Sequence, residues 1–126
     1  MQAYLLVFLG AGIGGALRHG VNLGAARWLS AGFPWGTLIV NITGSFVMGL
    51  LAGCFAFKGD ASQNWRLFLA TGILGGFTTF SAFSLDAVLI WERGQAGIAA
   101  TYVIASLILS IAGLAVGLGL IRAISA

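Results

Sequence analysis

Charged residues are nearly absent from this chain. They make up 7% of its 126 residues, against 60% that are hydrophobic. That balance excludes a water-soluble domain and reads as a membrane protein on composition alone. Three residues are acidic and one is a histidine. No Ser-His-Asp set, Cys/His cluster or phosphate-binding loop can be assembled from them, so an enzyme is not expected. The single cysteine, Cys54, has no intrachain partner for a disulfide and reads as a small buried apolar residue. The net charge of +3 comes from six scattered basic residues. Without a cluster they offer no surface for nucleic acid. A basic leading region is missing as well, and the first apolar run continues into a Gly- and Arg-containing stretch. That run therefore reads as a span, not a cleaved signal.

What is abundant is apolar length. A spanning helix takes about 20 residues. The chain has room for four, over 3–29, 35–57, 65–91 and 96–121, within one domain covering 1–126. The breaks at 30–34, 58–64 and 92–95 hold turn formers or charges, including the lone proline, Pro34. Trp28, Trp35, Trp65 and Trp91 fall at span ends, as interfacial anchors do. The expected fold is thus an all-α membrane protein with four transmembrane helices per chain.

The third span carries an interruption. Gly75-Gly76-Phe77-Thr78-Thr79-Phe80-Ser81-Ala82-Phe83 places paired glycines and paired threonines in mid-run. Both residue types weaken a helix, one by backbone entropy and the other by β-branching. Inside hydrocarbon every freed N–H and C=O needs a partner. A helix broken near the membrane centre therefore reads as a binding or permeation site, where protein, water or an ion meets those groups.

Polar side chains recur at helical spacing. Thr37, Asn41 and Ser45 share one face of span two, and Tyr102, Ser106 and Ser110 share one face of span four. Interhelical hydrogen bonding or back-bonding accounts for Thr37 and Ser45 as well as function does. Asn41 favours function, because an unpaired amide at that depth is costly. Gly49 and Gly53, like Gly113 and Gly117, read as close-packing faces. Phe80 and Phe83, three apart, point to one side of span three, and ring edges there can line a route for a small anion. With nine Phe in the chain, packing or lipid contact is the plainer reading of that pair.

Arg18 can snorkel, cap carbonyls or raise the local anion concentration; a structural role is favoured over direct ion contact. His19 reads as packed or interfacial. Asp86 belongs near a span end, paired with a basic residue. The basic residues divide evenly. With the N-terminus cytoplasmic, Lys58, Arg66 and Arg122 lie inside, while Arg18, Arg27 and Arg93 lie towards the outside. The positive-inside rule then gives almost no preference. Either one tipped charge decides the orientation, or the chain inserts both ways and pairs antiparallel with itself. Two inverted copies would supply the symmetry many transporters use.

Three segments carry a family resemblance. They are Gly14-Gly15-Ala16-Leu17-Arg18, Gly36-Thr37-Leu38-Ile39-Val40-Asn41-Ile42-Thr43-Gly44-Ser45-Phe46, and Gly75-Gly76-Phe77-Thr78-Thr79-Phe80-Ser81. In this order, and over nearly the whole length, the chain resembles the CrcB/Fluc family of small dual-topology fluoride channels. The resemblance implies an antiparallel homodimer in the bacterial cytoplasmic (inner) membrane, inserted in both orientations. Two fluoride pathways would flank its two-fold axis, exporting fluoride to relieve toxicity. By the same resemblance Phe80 and Phe83 would line the pores and Asn41 would donate to fluoride. Tyr102, Ser106 and Ser110 would form a polar track, with Ser81, Ser84 and Thr37 as polar neighbours. A structural Na+ at the dimer centre would be held by the backbone carbonyls of Gly75 and Thr78 from both subunits.

Two rivals remain. A small proton-coupled multidrug exporter has the same size, but it needs a carboxylate deep in the membrane. Span one here has no acid, and span three has only Asp86. A non-conducting assembly subunit would have no use for polar stripes.

Overall fold

In the computed structural model, which describes residues 1–57 and 62–125, the apolar runs fold into helices. Helix α1 is Gln2–Trp28 and α2 is Trp35–Phe57. Helix α3 covers 63–77 in three conformations: an α-helical turn Gln63–Arg66, a π-helical stretch Leu67–Leu74, and a last α-helical turn Gly75–Phe77. Helix α4 is Phe80–Glu92 and α5 is Ala96–Ser125. Four segments are long and apolar enough to cross a membrane: Gln2–Trp28, Trp35–Ala56, Gln63–Glu92 (α3 with α4) and Ala96–Ser125. The last two have 30 residues each. For the unbroken Ala96–Ser125 that is ~45 Å of helix, enough for the hydrocarbon core and both headgroup layers. The break expected at 58–64 falls for residues 58–61, Lys58 among them, outside the described residues.

Local chemistry sets the helix ends. Ser62 caps α3, its Oγ accepting from the Trp65 N–H at 3.4 Å. Pro34 precedes α2, and its carbonyl accepts from the Leu38 N–H at 3.2 Å, so the first turn closes just inside the proline. Gly94, at φ 79°, takes the left-handed turn between α4 and α5 that an L side chain resists.

The helices pack as two parallel pairs. Along α1 and α3, Gly14 approaches Ile73 and Phe77, and Arg18 reaches Gly76. A Cβ at Gly14 would overlap the Ile73 carbonyl, so only glycine lets α1 sit against the π-helical stretch. Helices α2 and α5 form the most extensive pairing. There Gly49 lies against the Leu114 carbonyl, and Gly53 against Ile121. Backbone-to-backbone approach through glycine is how helices associate where water exclusion gives no drive. Tyr102, Ile90 and Val40 are the largest fully buried side chains. Elsewhere the surface is apolar, as with Phe8 and Ile111, an exterior suited to hydrocarbon.

Candidate functional site

Between α3 and α4 the backbone leaves helical geometry for two residues. Thr78 has φ −84°, ψ 157° and Thr79 has φ −153°, ψ 123°, both extended. The paired glycines stay helical; the paired threonines are where the helix lets go. Threonine suits this place because its hydroxyl replaces lost backbone partners. Thr79 Oγ1 accepts from the Ala82 N–H at 3.1 Å and so caps α4. Thr78 Oγ1 donates to the Leu74 carbonyl at 2.9 Å.

Asn41 meets this break from α2. The Thr79 N–H donates to Asn41 Oδ1 at 2.8 Å, and Asn41 Nδ2 donates to the Thr79 carbonyl at 3.0 Å. The carboxamide thus holds both polar groups of one residue, as a neighbouring strand would. One Nδ2 hydrogen is left over. On the α1 side, Arg18 Nε donates to the Gly76 carbonyl at 3.2 Å, a cation at the negative end of α3.

These bonds redirect amides. In an unbroken α-helix the Gly75 carbonyl would accept from Thr79 N–H and the Thr78 carbonyl from Ala82 N–H. Both donors are bound to side chains instead. The two carbonyls are hard oxygen ligands of the kind a small hard cation takes. No group of three or more His, Cys, Asp or Glu side chains that could hold a metal exists among the described residues.

A cleft of about 230 Å³ opens beside the break. Asn41 and Ser45 line it from α2, Thr78, Thr79, Phe80 and Phe83 from the break and α4, and Ser106 and Ser110 from α5. Ser106 is buried, and its Oγ has no hydrogen-bond partner among the described residues. The N-terminus of α4, positive by its dipole, abuts the cleft. An uncharged lining of amide, hydroxyls and aromatic rings, under a positive helix end, suits a small anion.

The polar track continues past the cleft. Phe83 packs against Tyr102 with ring centroids 5.3 Å apart. The Tyr102 hydroxyl donates to Asp86 Oδ2 at 3.2 Å, and Thr37 is buried beside it. Thr37 and Asp86 line a second cavity of about 420 Å³, which reaches the loop after α1. Ser81 and Ser84 stand at the margin. Ser81 Oγ lies 3.3 Å from Thr79 Oγ1, and Ser84 Oγ donates to the Phe80 carbonyl at 2.9 Å.

The structure therefore gathers Asn41, Phe80, Phe83, Ser106 and Ser110 around one cleft, and Thr37 and Tyr102 in the next layer. Asp86, expected beside a basic residue, is bonded to Tyr102; the i, i+3 step from Phe83 to Asp86 was the signal that it shares their face. Thr79 was read only as one of the paired threonines that weaken the helix, although it is the residue Asn41 holds.

The model of the family described as CrcB-like protein, Camphor Resistance (CrcB), matches residues 5–118. Among curated relatives, the "Fluoride-specific ion channel FluC" of Rhodopseudomonas palustris (strain BisB5) is 62% identical over 124 residues, which is 98% of this chain and 100% of the relative. "Fluoride-specific ion channel FluC 2" of Nitrobacter hamburgensis is 56% identical over 119 residues, 94% of this chain and 96% of the relative. The "Fluoride-specific ion channel FluC" of Granulibacter bethesdensis is 57% identical over 122 residues, 97% of this chain and 96% of the relative.

Proposed function

Because the chain belongs to the CrcB family, we propose that it is a fluoride-selective passive ion channel that lets fluoride out of the bacterial cytoplasm. The observation that carries this reading is the cleft beside the break, with its buried and unpartnered Ser106 hydroxyl. Such a hydroxyl inside an oily protein needs a visiting partner. Fluoride is small and strongly hydrated, so a pore must replace its water with closely placed donors. The leftover Asn41 N–H, the Ser106 and Ser110 hydroxyls, and the edges of Phe80 and Phe83 are those donors. Chloride, larger and a weaker hydrogen-bond acceptor, gains less from such donors, so size and replacement of the hydration shell would exclude it.

The working unit is an antiparallel homodimer in the inner membrane, made from copies inserted in opposite orientations, with one pathway on each side of the axis. The even split of basic residues and the apolar exterior support it. The break lies near the bilayer centre at the dimer axis. There the Gly75 and Thr78 carbonyls, relieved of their helical donors, fit a structural Na+ shared by the two subunits. When bound, Na+ supplies a fixed positive charge that favours anions nearby.

The test is fluoride efflux from liposomes containing the purified protein, followed with a fluoride electrode, with valinomycin carrying compensating K+. Fast fluoride release without chloride release is expected. No release from folded dimer would overturn the channel reading.

A further inference from the structure

Asn41 sits in two places at once. It lines the cleft, and it is the side chain that holds Thr79 out of the helix. We propose that Asn41 is also the positioning residue of the cation-binding carbonyls at the break, acting through Thr79. This rests on the reading above that those carbonyls hold Na+.

The Thr79 N–H has two competing acceptors. One is the Gly75 carbonyl, its partner in a continuous α-helix. The other is Asn41 Oδ1, which holds it at 2.8 Å. When Asn41 has the hydrogen, the Gly75 oxygen is released to a metal. When Asn41 lets go, the helix can close and Gly75 is consumed. The return bond, from Asn41 Nδ2 to the Thr79 carbonyl at 3.0 Å, keeps the residue extended. Clamp and cation therefore favour the same backbone state, and each must strengthen the other by the same factor.

The chemistry demands asparagine. The site needs a donor and an acceptor side by side, which a carboxamide has and an ionised carboxylate lacks. Ser106 and Ser110 line the same cleft without bonding to the break. Arg18 fastens only the neighbouring Gly76 carbonyl, from the α1 side. So cleft chemistry and carbonyl release separate at every one of these residues except Asn41.

The test measures thermal unfolding of the purified full-length protein in detergent against Na+, with N-methylglucamine holding ionic strength constant. For the wild type, Na+ raises the unfolding temperature. For Asn41→Leu, which removes acceptor and donor at similar volume, the Na+ needed for half the stabilisation rises about tenfold, the effect of one lost hydrogen bond of ordinary strength. Ser110→Ala keeps the wild-type midpoint while conducting poorly. An Asn41→Leu midpoint equal to wild type overturns the proposal. A wild type indifferent to Na+ overturns both this proposal and the Na+ assignment, while fluoride efflux is judged separately in liposomes. Should the variant not fold, hydrogen exchange on the wild type decides. The Thr79 amide exchanges about tenfold faster without Na+ if clamp and cation are coupled, and equal rates overturn the proposal.

Discussion

Phe80 and Phe83 stand 5.5 Å apart, centroid to centroid, yet Phe80 is 72% exposed and Phe83 is 8% exposed. Two rings that read alike in the sequence therefore do different structural work. Phe83 belongs to the core with Leu38, Ile90 and Tyr102. Phe80 presents its ring outside the bundle of one chain, where the antiparallel partner of the proposed dimer would lie.

Replacing each ring with isoleucine separates the two roles. Phe83→Ile leaves a poorly filled core and should cost about 1–3 kcal/mol, besides lowering fluoride flux. Phe80→Ile should lower flux with little change in stability. Thermal unfolding and liposome efflux on the same preparations check both, and equal stability losses would contradict the assignment.

Ser106→Ala should move stability and flux in opposite directions. Its hydroxyl is buried with no partner among the described residues, so removing it relieves a desolvation cost of about 1–2 kcal/mol. The same change deletes a donor from the cleft and should slow fluoride several-fold. A variant that loses stability would mean that the hydroxyl has a partner in the folded protein.

Tyr102→Phe strips the Asp86 carboxylate of the donor it holds at 3.2 Å. An unpaired carboxylate beside a buried ring is costly, so a loss of about 1–3 kcal/mol is expected, with reduced flux. Asp86→Asn keeps an acceptor for the phenol and should spare stability. A double-mutant cycle of the two in unfolding experiments measures their coupling, and strict additivity would remove the bond from the account.

Gly49→Val should prevent α2 from seating on α5. A Cβ there would overlap the Leu114 carbonyl, which is backbone and cannot swing away. The loss should be about 1–3 kcal/mol or more, visible as a lower unfolding temperature and less folded protein by size-exclusion chromatography.

The four apolar runs were legible because each is closed by a turn former or a charge. The polar stripes were legible because hydroxyls at i, i+4 and i+8 share a face in any helix. The position of the break was legible only to within a few residues. Local propensity spreads weakness over Gly75 to Phe83, while the backbone departs from the helix at Thr78 and Thr79 alone. What decides is Asn41, 38 residues away in sequence, and no local pattern records so distant a bond. The Asp86 assignment failed for the same reason, since Tyr102 lies 16 residues further on.

The parallel pairing of α2 with α5 sets an order of events during synthesis. Helix α2 is made early, and the surface that covers its glycine face is made last. Asn41 must likewise wait for Thr79, and the cleft has no far wall until Ser106 and Ser110 emerge. The amide of Asn41 is unpaired in oil until Thr79 is made, and the glycine face of α2 stays uncovered until α5 enters the bilayer. The interval before α5 arrives is therefore the moment at which the nascent chain is most open to quality control.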